Sequence, residues 1–204
     1  MLKRRRPARG VTLIELMVAL AVLAIFLVAS APAFSTWIAN SRIRTTAEGL
    51  MAGLQLAKSE AVARNARVRF QLVSSLDGDC TLSAEGRHWV VNLDPANDAE
   101  AVEGACDSAP SDTEAPFILQ VRSAGEGSGS TAVEASAASL VFNGLGRPTP
   151  VPGGDLTFDI ANPAAGECAN AGGEMNCLRI VVSPAGQVRM CDPKFDSADS
   201  RGCP

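Results

Sequence analysis

The chain has 204 residues, 47% of them hydrophobic, with eighteen Lys and Arg against twenty-two acids and a single histidine. That length holds one anchor and one outer domain but not a second globular domain, and the acidic balance disfavours nonspecific attraction to nucleic acid or anionic lipid. With one histidine and no Gly-x-Ser-x-Gly, no His-Glu-x-x-His and no acid pair framed by a basic partner, the sequence is not that of an enzyme, and no cofactor is expected.

The N-terminus carries the strongest signal. Lys3, Arg4, Arg5, Arg6 and Arg9 precede a long apolar run with no acid among them. Residues 16–34 carry no charge, and at 1.5 Å per residue such a helix crosses most of a bilayer core. The basic flank keeps the N-terminus cytoplasmic and places the rest of the chain in the periplasm, so a single-pass inner-membrane protein is expected.

Glu15 is the residue that an ordinary anchor or export signal lacks. A carboxylate there costs roughly 2.5–3.5 kcal/mol on insertion scales and asks for a partner. Cleavage between Gly10 and Val11 would supply one, because the new ammonium of Val11 lies one helical turn from Glu15, on its own chain or on a neighbour packed in parallel. An export signal would want a small-residue site. Ala29-Ser30-Ala31 and Ala31-Pro32-Ala33 have the right residues, but Pro32 follows the first at the cut and lies inside the second.

Arg9-Gly10-Val11-Thr12-Leu13-Ile14-Glu15 and the run behind it resemble the type IV pilin-like proteins, whose leaders end in Gly and whose mature chains begin hydrophobic-Thr-Leu-Ile-Glu. Val11 stands where that family most often has Phe. The resemblance implies a prepilin peptidase that cuts after Gly10 and methylates the amine of Val11. It also implies that Glu15, the fifth mature residue, neutralises neighbouring N-termini during fibre assembly. Pro32, twenty-one residues after Val11, falls where pilin helices commonly bend, and its missing N–H gives such a kink a cause. Removal of the leader takes five of the eighteen basic residues and no acid, leaving 194 residues with a side-chain charge of −9.

Past Pro32, Ile43, Ala47, Leu50, Leu54, Ala57 and Ala61 recur at steps of four and three, with Arg42, Arg44, Glu48, Lys58 and Arg64 largely off that stripe. The helix therefore continues as an amphipathic one to about Asn65. The period then changes to two. Residues 68–73 read as a strand with one buried face, followed by turn chemistry at 74–79, and 88–93 as a second strand whose lone His88 is structural or on the surface. Residues 94–116 are acidic, small and proline-bearing, and read as a solvated loop without the ligand spacing of a calcium site. A third strand at 117–122 leads to a flexible Ala, Gly and Ser connection at 123–130. Residues 140–143 form a short strand entering the turn Gly144-Leu145-Gly146-Arg147-Pro148, which is no phosphate loop because neither Lys-Ser/Thr nor a helix follows. Another strand spans 155–160. Residues 178–183 and 187–191 make a hairpin around Pro184-Ala185-Gly186, followed by a polar tail.

Cys80, Cys106, Cys168, Cys177, Cys191 and Cys203 all lie beyond the apolar helix, and their even number suits disulfides in an oxidising compartment. Fifteen pairings are open and the sequence cannot choose among them; pairing of neighbours, 80 with 106, 168 with 177 and 191 with 203, is the working expectation. With no Cys-x-x-Cys and one histidine, no metal site is expected.

The N-terminal motif, the Phe-Asn-Gly-Leu-Gly-Arg-Pro segment and the terminal hairpin together resemble the minor pilins and pseudopilins of the GspH/FimT/FimU kind. The resemblance implies an α+β, pilin-like fold: a leader at 1–10, a transmembrane segment at 11–33, the amphipathic half of the same helix at 34–66, and a periplasmic β-rich domain at 67–204. The leading expectation is a minor pilin that helps initiate or cap a type IV pilus, with the prepilin peptidase, other minor and major pilins and inner-membrane lipid as partners. One alternative is a pseudopilin of type II secretion. Another is DNA capture for transformation, since FimT-type proteins carry Gly-Arg-x-Arg on the terminal hairpin. Here Gly186-Gln187-Val188-Arg189 keeps only Arg189, with Arg179, Lys194 and Arg201 as neighbouring cations and Asp192, Asp196 and Asp199 opposing them.

Overall fold

A computed structural model describes residues 12–98, 100–123 and 129–204, with the backbone alone described at 29–32. One helix, α1 (Leu13–Arg64), runs 52 residues, about 78 Å at the standard rise. Thr12 caps its start: the Glu15 amide donates to Thr12 Oγ1 at 3.3 Å and the Thr12 amide donates to Glu15 Oε2 at 3.5 Å. This is a capping box, in which two otherwise orphaned amides are satisfied reciprocally. The helix stops at Asn65, whose backbone is left-handed (φ 47°, ψ 44°), a conformation that asparagine tolerates.

Eight strands follow: β1 (Val68–Val73), β2 (His88–Leu93), β3 (Ile118–Arg122), β4 (Ala132–Ala135), β5 (Ser139–Phe142), β6 (Leu156–Ala161), β7 (Leu178–Val182) and β8 (Val188–Cys191). They form two antiparallel four-stranded sheets, ordered β3-β2-β1-β5 and β4-β6-β7-β8. α1 packs against strands of both. Its periodic stripe Ile43, Ala47, Leu50, Leu54, Ala57 and Ala61 is buried, joined one turn earlier by Ala39. Phe70 of β1 meets Trp89 of β2 at 5.8 Å and Phe158 of β6 edge-on at 6.1 Å, which ties the two sheets into one core. Gly53 lets the rings reach the helix, since a Cβ there would lie 2.8 Å from both Phe70 and Trp89.

The segment 94–116 departs from its sequence reading. It is a folded cover rather than a solvated loop: Val102 and Cys106 are buried, and they join Val73, Cys80, Val90 and Ile118 in a second small core. Consequently β1 is buried along its whole length, where alternation predicts one wet face. Arg69 lies inside because Asp94, also buried, pairs with it at 2.8 Å and with Arg67 at 2.8 Å. These contacts hold the charges together although Asp94 Oδ2 and Arg69 Nη2 lie off hydrogen-bond angles. Strand β4 is an element that the sequence reading lacks, lying just past the stretch read as a connection. Three disulfides, Cys80–Cys106, Cys168–Cys177 and Cys191–Cys203, join sequence neighbours. They pin the 94–116 cover, the turn before β7 and the C-terminal tail.

Candidate functional site

The first turns of α1 bring the chemistry of the N-terminal motif to a helix end. Gly10 and Val11 lie outside the described residues. Glu15 sits in the first turn, where its charge complements the helix dipole and one of its oxygens closes the capping box. The pattern Thr-x-x-Glu before an apolar run is legible as a cap in sequence, and reading Glu15 only as a charge in lipid passes over it. Every described side chain in Leu13–Val28 is exposed, including Leu13, Ile14, Ile25 and Val28 at 69–76%.

Among the described residues, no single helix is long and apolar enough to cross a membrane. The pair Leu13–Val28 and Ala33–Arg64, meeting at 41°, passes that test of length and composition together. Pro32 falls in the break between them, and its side chain lies outside the description.

The four cations weighed for nucleic-acid contact do not gather into one free cluster. Arg179 makes a two-pronged pair with Asp159, at 2.7 and 3.1 Å. Arg201 grips Asp199 in the same way, at 3.1 and 2.8 Å, and its guanidinium lies 3.7 Å over the Phe195 ring. That grip, together with the Arg201 amide, holds the Asp199 carboxyl at about 2 and raises the Arg201 guanidinium. Arg189 donates to the Gly202 carbonyl at 3.0 Å and so fastens the tail to β8, beside the Cys191–Cys203 disulfide. Lys194 is exposed on the tail. The hairpin turn is itself tied to the helix, with Lys58 Nζ donating to the Gly186 carbonyl at 2.8 Å. Gly186 there has φ 82°, which favours glycine.

A long helix with an unburied apolar half, an amphipathic half laid on antiparallel sheets, and a capped acid at the fifth position after a glycine define a pilin-like subunit. Residues 46–186 match the family described as type II transport protein GspH, and residues 5–31 match the prokaryotic N-terminal methylation motif. The chain belongs to the GspH family, and is a type IV minor pilin or pseudopilin. Its fold is similar to that of the type IV minor pilin FimU of Pseudomonas aeruginosa in a P21 crystal. The TM-score is 0.50 at 18% identity, over 78% of this chain and 92% of that one. A P65 crystal of the same minor pilin gives 0.46 at 17% identity, over 76% and 94%. No curated protein matches the chain.

Proposed function

We propose that this protein is a minor pilin that helps initiate or cap a type IV pilus. A leader at 1–10 is removed by a prepilin peptidase, Val11 becomes the methylated N-terminus, and residues 11–33 hold the chain in the inner membrane with 67–204 in the periplasm. The observation that carries this reading is the apolar half Leu13–Val28, exposed along its length with Glu15 at its head. The hydrophobic effect leaves such a surface in water only at great cost, so lipid and then neighbouring pilin helices cover it. Glu15 serves as the register mark. One capping bond does not exhaust a carboxylate, which accepts about four, so it can also receive the ammonium of an adjacent processed chain.

A strain lacking the protein should make few surface pili, restored by the wild-type gene. Normal piliation and twitching in that strain would remove the reading. The family match favours one alternative, a pseudopilin of type II secretion, whose N-terminal physics is the same. Loss of an exported enzyme from the medium, with pili intact, would select it. DNA capture draws less support, because Arg179 and Arg201 are each neutralised by an acid and Arg189 is spent on the tail. A salt-dependent gel shift of the protein that Arg189→Ala abolishes would revive it.

A further inference from the structure

A cavity of about 490 Å³ opens between the first turns of α1 beyond the apolar half and the segment after β6, lined by Ser35, Ile38, Ala39, Arg42, Ser130 and Asn162 among others. Among the described residues lining it, Arg42 is the one that carries a charge. Arg42 Nη1 donates to Ser130 Oγ at 3.3 Å, and Asn162 Nδ2 donates to the same hydroxyl at 3.2 Å. Asn162 is 1% exposed, yet its Oδ1 has no hydrogen-bond partner among the described residues. That oxygen is closed off from solvent, whereas the Ser130 hydroxyl, with two donors on its oxygen, keeps its own proton to donate to a ligand in the cavity.

The height of the cavity on the helix identifies the occupant. Trp37 is 65% exposed and stacks on the exposed Phe34 at 5.9 Å, and an exposed tryptophan at the end of an apolar helix marks the membrane–water boundary. Ser35 to Ala39 lie within roughly 8 Å of Phe34 along the helix, the depth of one headgroup layer. Cβ bonds on a helix tilt toward its N-terminus, so Arg42, one turn higher, leans back toward that layer.

We propose that this cavity seats the headgroup of an anionic phospholipid, phosphatidylglycerol in chemical type. The remaining guanidinium donors of Arg42 and the Ser130 hydroxyl proton hold the phosphate, and with no acid among the described lining residues a headgroup of net negative charge is favoured over one that carries its own ammonium. The inference rests on the membrane-anchored reading above. It makes the cavity a lipid-specific foot for the outer domain, which orients that domain before its helix is drawn into a fibre.

The test is native mass spectrometry of the full chain released from nanodiscs holding equal phosphatidylglycerol and phosphatidylcholine. Phosphatidylglycerol should be enriched on the wild type, and Arg42→Ala should lower that enrichment about tenfold, the ratio that a hydrogen bond to a charged group sustains. Arg44→Ala, which removes an exposed cation already paired with Glu48, should keep it. Asn162→Ala should also lower it; because that variant disturbs a buried site, the exposed Arg42 carries the decision. Equal enrichment in Arg42→Ala and wild type would overturn the proposal, as would equal losses in Arg42→Ala and Arg44→Ala, which would show general charge attraction. Retention of inorganic phosphate without phosphatidylglycerol enrichment would overturn it in favour of a free-anion site. A chain found outside the disc fraction would overturn the membrane reading itself, whereas a disc-bound chain without enrichment would overturn only the headgroup site.

Discussion

The two halves of α1 follow the same backbone rules and meet opposite fates. In Leu13–Val28 the apolar residues run around the whole helix and every described side chain is exposed; in Ala33–Arg64 they narrow to one stripe, and that stripe is buried by the sheets of its own chain. A stripe can be satisfied from one side, by a domain. A helix that is apolar all round needs a surrounding, which here only lipid or other helices can provide. The helix thus divides its energy between folding and assembly, and substitutions in the two halves should separate accordingly.

The widest separation is expected between Leu54 and Leu23. Leu54 is fully buried, so Leu54→Ala should cost the outer domain about 2–5 kcal/mol in denaturant unfolding. Leu23, 54% exposed, should give Leu23→Ala an effect within about 0.5 kcal/mol on the same measurement. A comparable loss at both positions would break the division. In the cover over β1, Cys80→Ala/Cys106→Ala should cost about 3–4 kcal/mol, given the 26-residue separation, and should leave the helix contacts intact by hydrogen exchange. At the helix–sheet contact, Gly53→Ala should lose about 1–3 kcal/mol through overpacking against Phe70 and Trp89. Helix propensity alone would make that change gain up to about 1 kcal/mol, so the sign of the measured change decides between packing and propensity.

The smallest effect concerns pH. Burial, then the nearby Arg87, holds the His88 imidazole below its ordinary 6.5, so the folded protein disfavours the charged form. Above pH 6.5 the group therefore costs nothing. As pH falls below 6.5 toward the folded value the unfolded chain takes up the proton first and stability declines. His88→Gln should flatten the acid side of the thermal-midpoint profile slightly, because the ring is only partly buried.

What the sequence made legible follows the same division. The stripe from Ile43 to Ala61 was readable because a helix repeats every 3.6 residues and the core side of that repeat contains nothing else. The hairpin of β7 and β8 was readable from its Pro-Ala-Gly turn. The burial of β1 was not, because its cover consists of 94–116, whose many acids advertise water. Only the pairing of Asp94 with Arg67 and Arg69, distant in sequence, turns one of those acids inward. Strand β4 escaped because Ala-Val-Glu-Ala has little strand propensity and acquires its place from pairing with β6. Asn162 and Ser130 come together with Arg42 from three distant segments, and no local spacing announces such a site.

The claim that the exposed half of α1 is completed by other subunits, in register through Glu15, is tested most directly by Glu15→Gln. Glutamine keeps the acceptor that the capping box uses and removes the charge, so the helix start stays intact while the ammonium loses its partner. Membrane fractions and sheared pili probed for the protein should show wild-type amounts in the membrane and little or none in the pili. Equal amounts in the sheared pili of mutant and wild type would contradict the account.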